Sequence, residues 1–328
     1  MSAYEFRPYR LDDEHAILAT FNRVFAADAG RRPRTLEEWR WAYADNPAGL
    51  RVWLALDGAT VAAHYASLPN RTRVEGETRV FAQIVDTMVH PDYRRGLKKP
   101  GLFVETARRM LEATCGPDKD LVTYGWPTRE AWRTGKAFLD YEMVRRESAL
   151  YSELDGVDPT LPAGVVRARA FHESVERLYE RCAVDWGAST IRDRAWLQWR
   201  VFARPGQDYR VLTVPDPAGA WLGYAVLRTA DWPLPGTCVL CDWLVPGGER
   251  ETGERLLAAV RSDARAGGAA ALIANFPQWS PWFLHFQERG FLVTSTEYFM
   301  SGRNNHPHHD MFWLRDHWWY QPLDLDLF

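Results

Sequence analysis

The chain has 328 residues, of which 46% are hydrophobic and 25% are charged, so it can form two folded domains and is not a disordered chain. A formal net charge of -3 and a pI near 6.3 argue against sequence-independent nucleic-acid binding, because such binding needs a basic face. No apolar run approaches the roughly 20 residues of a bilayer span, and the N-terminus lacks a signal-peptide core. We therefore expect a cytoplasmic protein, monomeric or homodimeric, that binds neither nucleic acid nor a membrane.

In chain order, the first half of the sequence alternates helices and strands. Thr35 and Glu38 form a capping box that begins a helix, and Asp57-Gly58 is a hairpin signal between two strands. The predicted elements are a strand at 4–8, helices at 13–25 and 35–46, strands at 51–56 and 60–68, a long strand ending at 89, a helix from 101, a strand at 121–126, a helix at 129–139 and a strand at 142–150.

The stretch from Gln83 to Met110 joins a strand, a basic glycine-containing turn and a helix. A helix N-terminus offers unpartnered N–H groups and partial positive charge, and glycine lets a ligand approach the backbone closely. Lys98 and Lys99 add two positive charges beside Gly101, so the turn is suited to binding a diphosphate. The alternative is an ordinary strand-to-helix turn with solvated lysines.

This stretch resembles the acyl-coenzyme A signature of the GNAT superfamily (GCN5-related N-acyltransferases): Gln or Arg, two residues, Gly, one residue, then Gly or Ala. The chain has Lys98-x-x-Gly101-x-Phe103, so a lysine replaces the first residue and a bulky phenylalanine replaces the last. The order of predicted elements is also that of the GNAT fold. The resemblance implies a mixed α/β (α+β) fold, with a mostly antiparallel twisted sheet flanked by helices. It also implies acetyl-CoA or another acyl-CoA as co-substrate, without a metal. The cofactor-binding residues implied are Met88, Val89, Arg95, Gly96, Lys98, Lys99, Gly101, Leu102 and Phe103.

The resemblance further implies direct transfer of an acyl group from a thioester to an amine on a small molecule or peptide. Backbone N–H groups around Met88 and Val89 would polarise the thioester carbonyl, and Asp86 stands where the family often has a carboxylate base. A structural role for Asp86, at a point where two strands part, is an equal alternative. Lys136 holds the family's usual tyrosine position on the thiolate side, so Tyr124 or water is the substitute.

The second half of the chain repeats the first at a nearly constant spacing. The matching positions are Trp41 and Trp199, Asp86 and Asp242, and Pro127 and Pro277. In place of the basic turn, the second copy carries Glu249, Glu251 and Glu254, which would repel a diphosphate. We therefore predict a tandem arrangement: a GNAT-like domain with the acyl-CoA loop at 1–153, a linker at 154–164, a degenerate repeat at 165–303, and an aromatic and acidic tail at 304–328 that packs on the body.

Two groups of residues resemble metal ligands, but a structural interpretation is favoured for each. They are Cys238-x-x-Cys241 and the cluster His306, His308, His309 and Asp310. The cysteine pair has no second pair to complete a zinc site, and strand alternation would point its two thiols to opposite faces. The histidines lie in a polar loop, and we predict no metal.

The sequence thus predicts an N-acyltransferase that acts in a ternary complex with an acyl-CoA and an amine. Two alternatives remain open. The donor could be a long-chain acyl group, a carrier protein or an aminoacyl-tRNA on the same fold, or both copies could form a non-catalytic binding module.

Overall fold

A computed structural model of the chain describes residues 4–25, 32–94, 101–232 and 234–326. Its internal contacts divide the chain into two compact units. Unit 1 comprises Met1–Thr72, Thr78–Arg145 and Met300–Met311. Unit 2 comprises Arg73–Glu77, Arg146–Phe299 and Phe312–Phe328.

The first half of the chain supplies six strands and four helices within the described residues. They are β1 (Glu5–Pro8), α1 (Asp13–Phe25), α2 (Leu36–Trp39), β2 (Arg51–Asp57), β3 (Thr60–Val74), β4 (Glu77–Val89), α3 (Leu102–Thr114), β5 (Asp120–Gly125), α4 (Arg129–Phe138) and β6 (Glu142–Glu153). The predicted capping box begins α2, where the Thr35 hydroxyl accepts from the Glu38 N–H and the Glu38 carboxylate accepts from the Thr35 N–H. The predicted hairpin joins β2 and β3, with Gly58 at φ 57°.

The second half supplies the remaining elements. They are β7 (Val166–Ala168), α5 (Val175–Ala183), β8 (Ala188–Thr190), α6 (Arg194–Leu197), β9 (Arg210–Pro215), β10 (Trp221–Ala230), β11 (Thr237–Leu244), α7 (Arg250–Ala266), β12 (Ala271–Ala274), α8 (Pro281–Glu288), β13 (Leu292–Asn304), α9 (Met311–His317) and β14 (Trp318–Trp319). In the described residues, no helix is both long and apolar enough to cross a membrane.

Each unit contains a mixed sheet flanked by helices, which confirms the predicted fold class. In unit 1 the strands run in the order β1-β2-β3-β4-β5, and β4 and β5 are parallel. In unit 2 the order is β6-β12-β11-β10-β9-β7, and β11 and β12 are parallel. The core of unit 1 around α3 includes Tyr65, Ala107 and Met110, all almost completely buried.

Two strands do not belong to the sheet that the linear repeat assigns them to. Each pairs with a strand of the other unit instead. The last strand of the first half, β6, pairs with β12 in unit 2 through the register Glu153 to Ala271. The end of β13 pairs with β5 in unit 1, with Ser301 opposite Gly125. The predicted boundaries at 153 and 303 follow the repeat along the chain and stay a prediction, whereas the contacts group residues across both of them.

Candidate functional site

Strands β4 and β5 of unit 1 run side by side and then separate. Their parallel register begins near Val80 and ends at Gln83, opposite Tyr124. Strand β4 continues to Val89, and Asp86 lies in the left-handed region at φ 51°, which is rare for a residue other than glycine. Such a kink redirects a strand, and it lies three residues past the last pair of the β4–β5 ladder, close to the end of β5 at Gly125.

Three side chains hold Asp86 in this conformation. The Asp86 carboxylate accepts from Tyr43 Oη at 2.5 Å and from the Arg34 guanidinium. The Asp86 carbonyl oxygen lies 2.8 Å from His64 Nδ1, and Asn22 of α1 brackets the Arg34 backbone with two hydrogen bonds. Because backbone and side chain are both fixed, the kink is part of the folded architecture.

Charge and burial act in opposite directions on this cluster. Burial alone would raise the pKa of Asp86, but the positive charge of Arg34, with the hydrogen bonds from Arg34 and Tyr43, lowers it overall. Burial lowers the pKa of His64, so its imidazole is neutral and its Nδ1 can donate to the Asp86 carbonyl. An ion-paired carboxylate of low pKa is a poor proton acceptor, which favours the structural interpretation of Asp86 over the general base.

Asp86→Asn should be less stable than the wild type by roughly 1.5–3 kcal/mol near neutral pH, because a charged acceptor becomes a neutral one. Because the pKa of Asp86 is lower in the folded than in the unfolded protein, the ionised carboxylate stabilises the fold above the unfolded pKa of about 3.9. This stabilisation is lost as the pH falls through the folded-state pKa. The difference between the two proteins should therefore shrink below about pH 4 in urea unfolding. If the stability difference between the wild type and Asp86→Asn instead falls as pH rises from 5 to 7, the pKa of Asp86 is raised, as a general base requires.

The start of α3 is the second part of the site. Gly101 is the N-cap residue, with extended backbone angles and no side-chain hydrogen bond to the first turn. A Cβ placed on Gly101 would meet no heavy atom within 4 Å among the described residues. Two residues on, the Phe103 ring packs edge-on against Tyr65 at 5.5 Å. In the part of the chain that the structure describes, nothing covers the Gly101 side of the helix start, and the Phe103 and Tyr65 rings form its apolar side.

The other predicted site residues lie as follows. Met88 is buried, and the Val89 carbonyl accepts from Arg94 Nε at 3.0 Å. Tyr124 is fully buried in β5, where Asn70 Nδ2 donates to its hydroxyl at 3.1 Å. Four predicted cofactor contacts lie outside the described residues: Arg95, Gly96, Lys98 and Lys99. The roles of Asp86 and Tyr124 in catalysis stay predictions.

The equivalent corner of unit 2 is filled. A Cβ placed on Gly253 in the first turn of α7 would lie only 2.3 Å from the ring of Trp282. Trp282 Nε1 donates to the Val245 carbonyl at 3.1 Å, just past the end of β11, so the indole is held where strand gives way to helix. Glu249 precedes the helix and pairs with Arg181. At Gly253 the first turn of α7 is therefore covered by an indole, and a carboxylate lies at its N-cap position.

The structure describes both groups of residues that resembled metal ligands. Cys238 and Cys241 are both fully buried in β11, as core residues would be. In the histidine loop, His306 Nδ1 accepts from the backbone N–H groups of His308 and His309. That metal plays no part in the protein's function stays a prediction.

Comparison with known proteins places this architecture in a class. Residues 5–131 match the family model described as acetyltransferase (GNAT) domain. A probable N-acyltransferase from Enterococcus faecalis V583, described as a conserved protein of unknown function, is 14% identical with a TM-score of 0.64, over 92% of this chain and 73% of that chain. The N-myristoyltransferase of Saccharomyces cerevisiae with bound myristoyl-CoA is 13% identical with a TM-score of 0.59, over 92% and 82%. A putative acetyltransferase from Pyrococcus horikoshii is 15% identical with a TM-score of 0.57, over 98% and 94%. Curated protein sequences give no match.

The chain therefore carries a GNAT acetyltransferase domain in residues 5–131, and the resemblance inferred from the sequence is confirmed. The solved structures share the fold of almost the whole chain at identities that are too low to transfer an activity. The tandem repeat of that domain stays a prediction.

Sequence reasoning missed the residues that hold the kink in β4. Arg34 stood in a basic linker, and nothing local linked it to Asp86, 52 positions away. A signal was present in the repeat, because Arg192 stands at the same spacing from Arg34 as Trp199 from Trp41, and Arg192 bonds the matching Asp242. An arginine and an aspartate that recur together predict an ion pair.

Proposed function

We propose that unit 1 is an N-acyltransferase that moves an acyl group, acetyl in the first instance, from an acyl-CoA to an amine. One observation carries the proposal: the β4–β5 ladder ends at Gln83 while β4 continues to Val89, and among the described residues no heavy atom would meet a Cβ on Gly101 at the start of α3. The matching corner of unit 2 is closed by Trp282, which supports unit 1 as the cofactor binder. The matched GNAT domain, residues 5–131, also lies in the first half of the chain.

The cofactor is proposed to bind along the two parts of this site. The diphosphate would take the free N–H groups at the start of α3, with Lys98 and Lys99 adding charge. The pantetheine arm would lie between the separating strands, where its amides can pair with the β4 backbone in the manner of an added strand. The thioester would then sit beyond Asp86, next to Met88 and Val89.

The chemistry is a direct attack. The amine nitrogen bonds to the thioester carbonyl carbon, the C–S bond breaks, the sulfur leaves as a thiolate and the amine nitrogen loses a proton. Backbone N–H groups around Met88 and Val89 are proposed to stabilise the negative charge on the carbonyl oxygen. Because Asp86 is ion-paired with Arg34, a water is proposed to take the amine proton in preference to the Asp86 carboxylate, and Tyr124 or water would serve the thiolate.

A series of acyl-CoAs tests the donor. Thermal unfolding of the full chain is followed with acetyl-, octanoyl- and myristoyl-CoA, the last because a protein of similar fold is known with it bound. A ligand at 100 times its dissociation constant should stabilise the protein by about 2.7 kcal/mol. Absence of protection by all three would refute CoA dependence, and protection by the longer chains alone would replace acetyl with the long-chain alternative.

The acceptor is tested separately. The protein is incubated with the protecting acyl-CoA and, in turn, a polyamine, an amino sugar and a peptide with a free N-terminus, and free thiol release and product mass are measured. An amide product survives alkaline hydroxylamine, whereas an oxygen ester is cleaved to a hydroxamate, so the treatment separates N- from O-acylation. Saturable acyl-CoA binding without transfer to any amine would favour the non-catalytic binding module.

A further inference from the structure

The parallel strands of unit 2 separate at the position that matches the separation in unit 1. The register of β11 and β12 ends at Leu240, opposite Ala274. By the matches of Asp86 with Asp242 and of Pro127 with Pro277, these residues correspond to Ile84 and Tyr124, and the β4–β5 ladder ends one residue earlier on β4, at Gln83 opposite Tyr124. Asp242 follows in β11 as Asp86 follows in β4, and Asn275 follows directly after β12. A gap bounded by Asp242 and Asn275 is therefore expected in unit 2.

That gap is occupied by the chain itself. We define the tail segment as Trp318–Asp326, which contains β14 and a single helical turn at Pro322–Asp324. Gln321 Nε2 donates to the Asn275 carbonyl at 3.1 Å, on the β12 side of the gap. On the β11 side, Arg192 bridges Asp324 at 2.8 Å and Asp242 at 3.0 Å.

The tail segment is held as tightly as an interior element. Gln321, Leu323 and Leu325 are fully buried. Arg200, itself buried, donates to the Leu323 carbonyl at 2.8 Å and also to the Leu325 carbonyl. At the start of the segment, Trp319 stacks on Trp186 with ring centroids 4.3 Å apart. Backbone carbonyls that are bound by buried arginines indicate a built site with one intended occupant.

The contacts of Gln321 have the chemistry that a carrier arm would use. A pantetheine arm presents amide groups to strand backbone, and the Gln321 carboxamide presents the same group to the Asn275 carbonyl, directly after β12, the strand that matches β5. We propose that the tail segment is the permanent occupant of the β11–β12 gap, in the position where unit 1 receives its acyl carrier. The chain therefore binds one acyl carrier and not two. The number of carriers rests on the proposed function of unit 1, whereas the occupancy of the β11–β12 gap by the tail segment does not.

Peptide binding in trans tests the occupancy. A chain ending at Tyr320 is mixed with a synthetic peptide of residues 321–328, and binding is measured by calorimetry and thermal unfolding. The peptide should bind one to one and raise the melting temperature of the shortened chain. A peptide with Gln321→Ala and Asp324→Ala should bind at least tenfold more weakly, and a scrambled peptide should not bind. A shortened chain that is as stable as the full chain and ignores the peptide would overturn the proposal.

A full-length variant covers the case in which the shortened chain does not fold. With Gln321→Ala and Asp324→Ala in the full chain, amide hydrogen exchange should rise in β11, β12 and the tail segment, while exchange in β4 and β5 stays unchanged. Unchanged protection of β11 and β12 would overturn the occupancy. Calorimetry of the full chain with acyl-CoA separates the two claims: one site per chain supports both, two sites refute the single carrier, and none refutes the function of unit 1 alone.

Discussion

Lys98→Glu combined with Lys99→Glu should weaken acyl-CoA binding about 100-fold, which is roughly 2.7 kcal/mol. The change replaces two attractive charges with two repulsive ones beside a diphosphate, and each pair at a protein surface contributes on the order of 1 kcal/mol or more. If the attraction is a screened charge interaction, the effect should fall as salt is added. Calorimetric titration at low and high salt measures both quantities.

The chain offers a matched control, because its other two lysines are Lys119 and Lys136. Lys119 donates to the Ala113 carbonyl at the far end of α3, and Lys136 lies over the Trp132 ring of α4. Lys119→Glu with Lys136→Glu changes the net charge by the same amount but should leave affinity within about threefold, since neither lysine belongs to the basic turn before α3. If both double variants lost the same affinity for acyl-CoA, the effect would be due to net charge, and a local diphosphate site would be refuted.

Arg192→Ala should destabilise unit 2 by about 3–5 kcal/mol, because it leaves two carboxylates buried without a counter-charge. Arg192 is fully buried and bonds Asp242, Asp324 and the Thr190 carbonyl. Burial already raises the pKa of Asp242 with the arginine present, so the interior tolerates negative charge poorly. The melting temperature of this unit should fall by about 6–20 °C.

Two further variants serve as controls for this prediction. Arg289→Ala removes an exposed partner of Glu254 and should cost less than about 1 kcal/mol. Adding Asp242→Asn and Asp324→Asn to Arg192→Ala should restore part of the loss, because the stranded charges are gone. If Arg192→Ala alone were as mild as Arg289→Ala, water would have to reach the carboxylates, and the closed interior of unit 2 would be refuted.

The fold was predictable because its signals are local. The capping box at Thr35, the Asp57-Gly58 hairpin and the strand–glycine–helix order from Gln83 each specify a conformation within a few residues. Apolar periodicity then places the elements in an order that few folds share. The position of the candidate site was predictable to the same extent, since Gly101 and Asp86 both lie in that single stretch, and its role stays a prediction.

What the sequence did not disclose depends on long-range pairing. No sequence pattern around Asp86 indicates that it bonds Arg34, Tyr43 and His64. Hydrogen bonds between side chains that are distant in sequence leave no periodic pattern. The tail was expected to pack on the body through its aromatic residues. The sequence did not indicate that the Asp324 carboxylate and the Gln321 amide lie beside β11. Only their hydrogen bonds in the structure show this. The pairing of β6 with β12 is hidden for the same reason.

The exchanged strands have a consequence for synthesis on the ribosome. The sheet of unit 1 lacks its outer strand until residues 301–304 have been made, although the matched GNAT segment ends at residue 131. Until then, the nascent chain exposes the unpaired edge of β5, the kind of edge on which other chains can add. A half-length fragment would carry the same open edge permanently. Maturation of the amino-terminal half must therefore wait for nearly the whole polypeptide, and expressing that half alone invites aggregation.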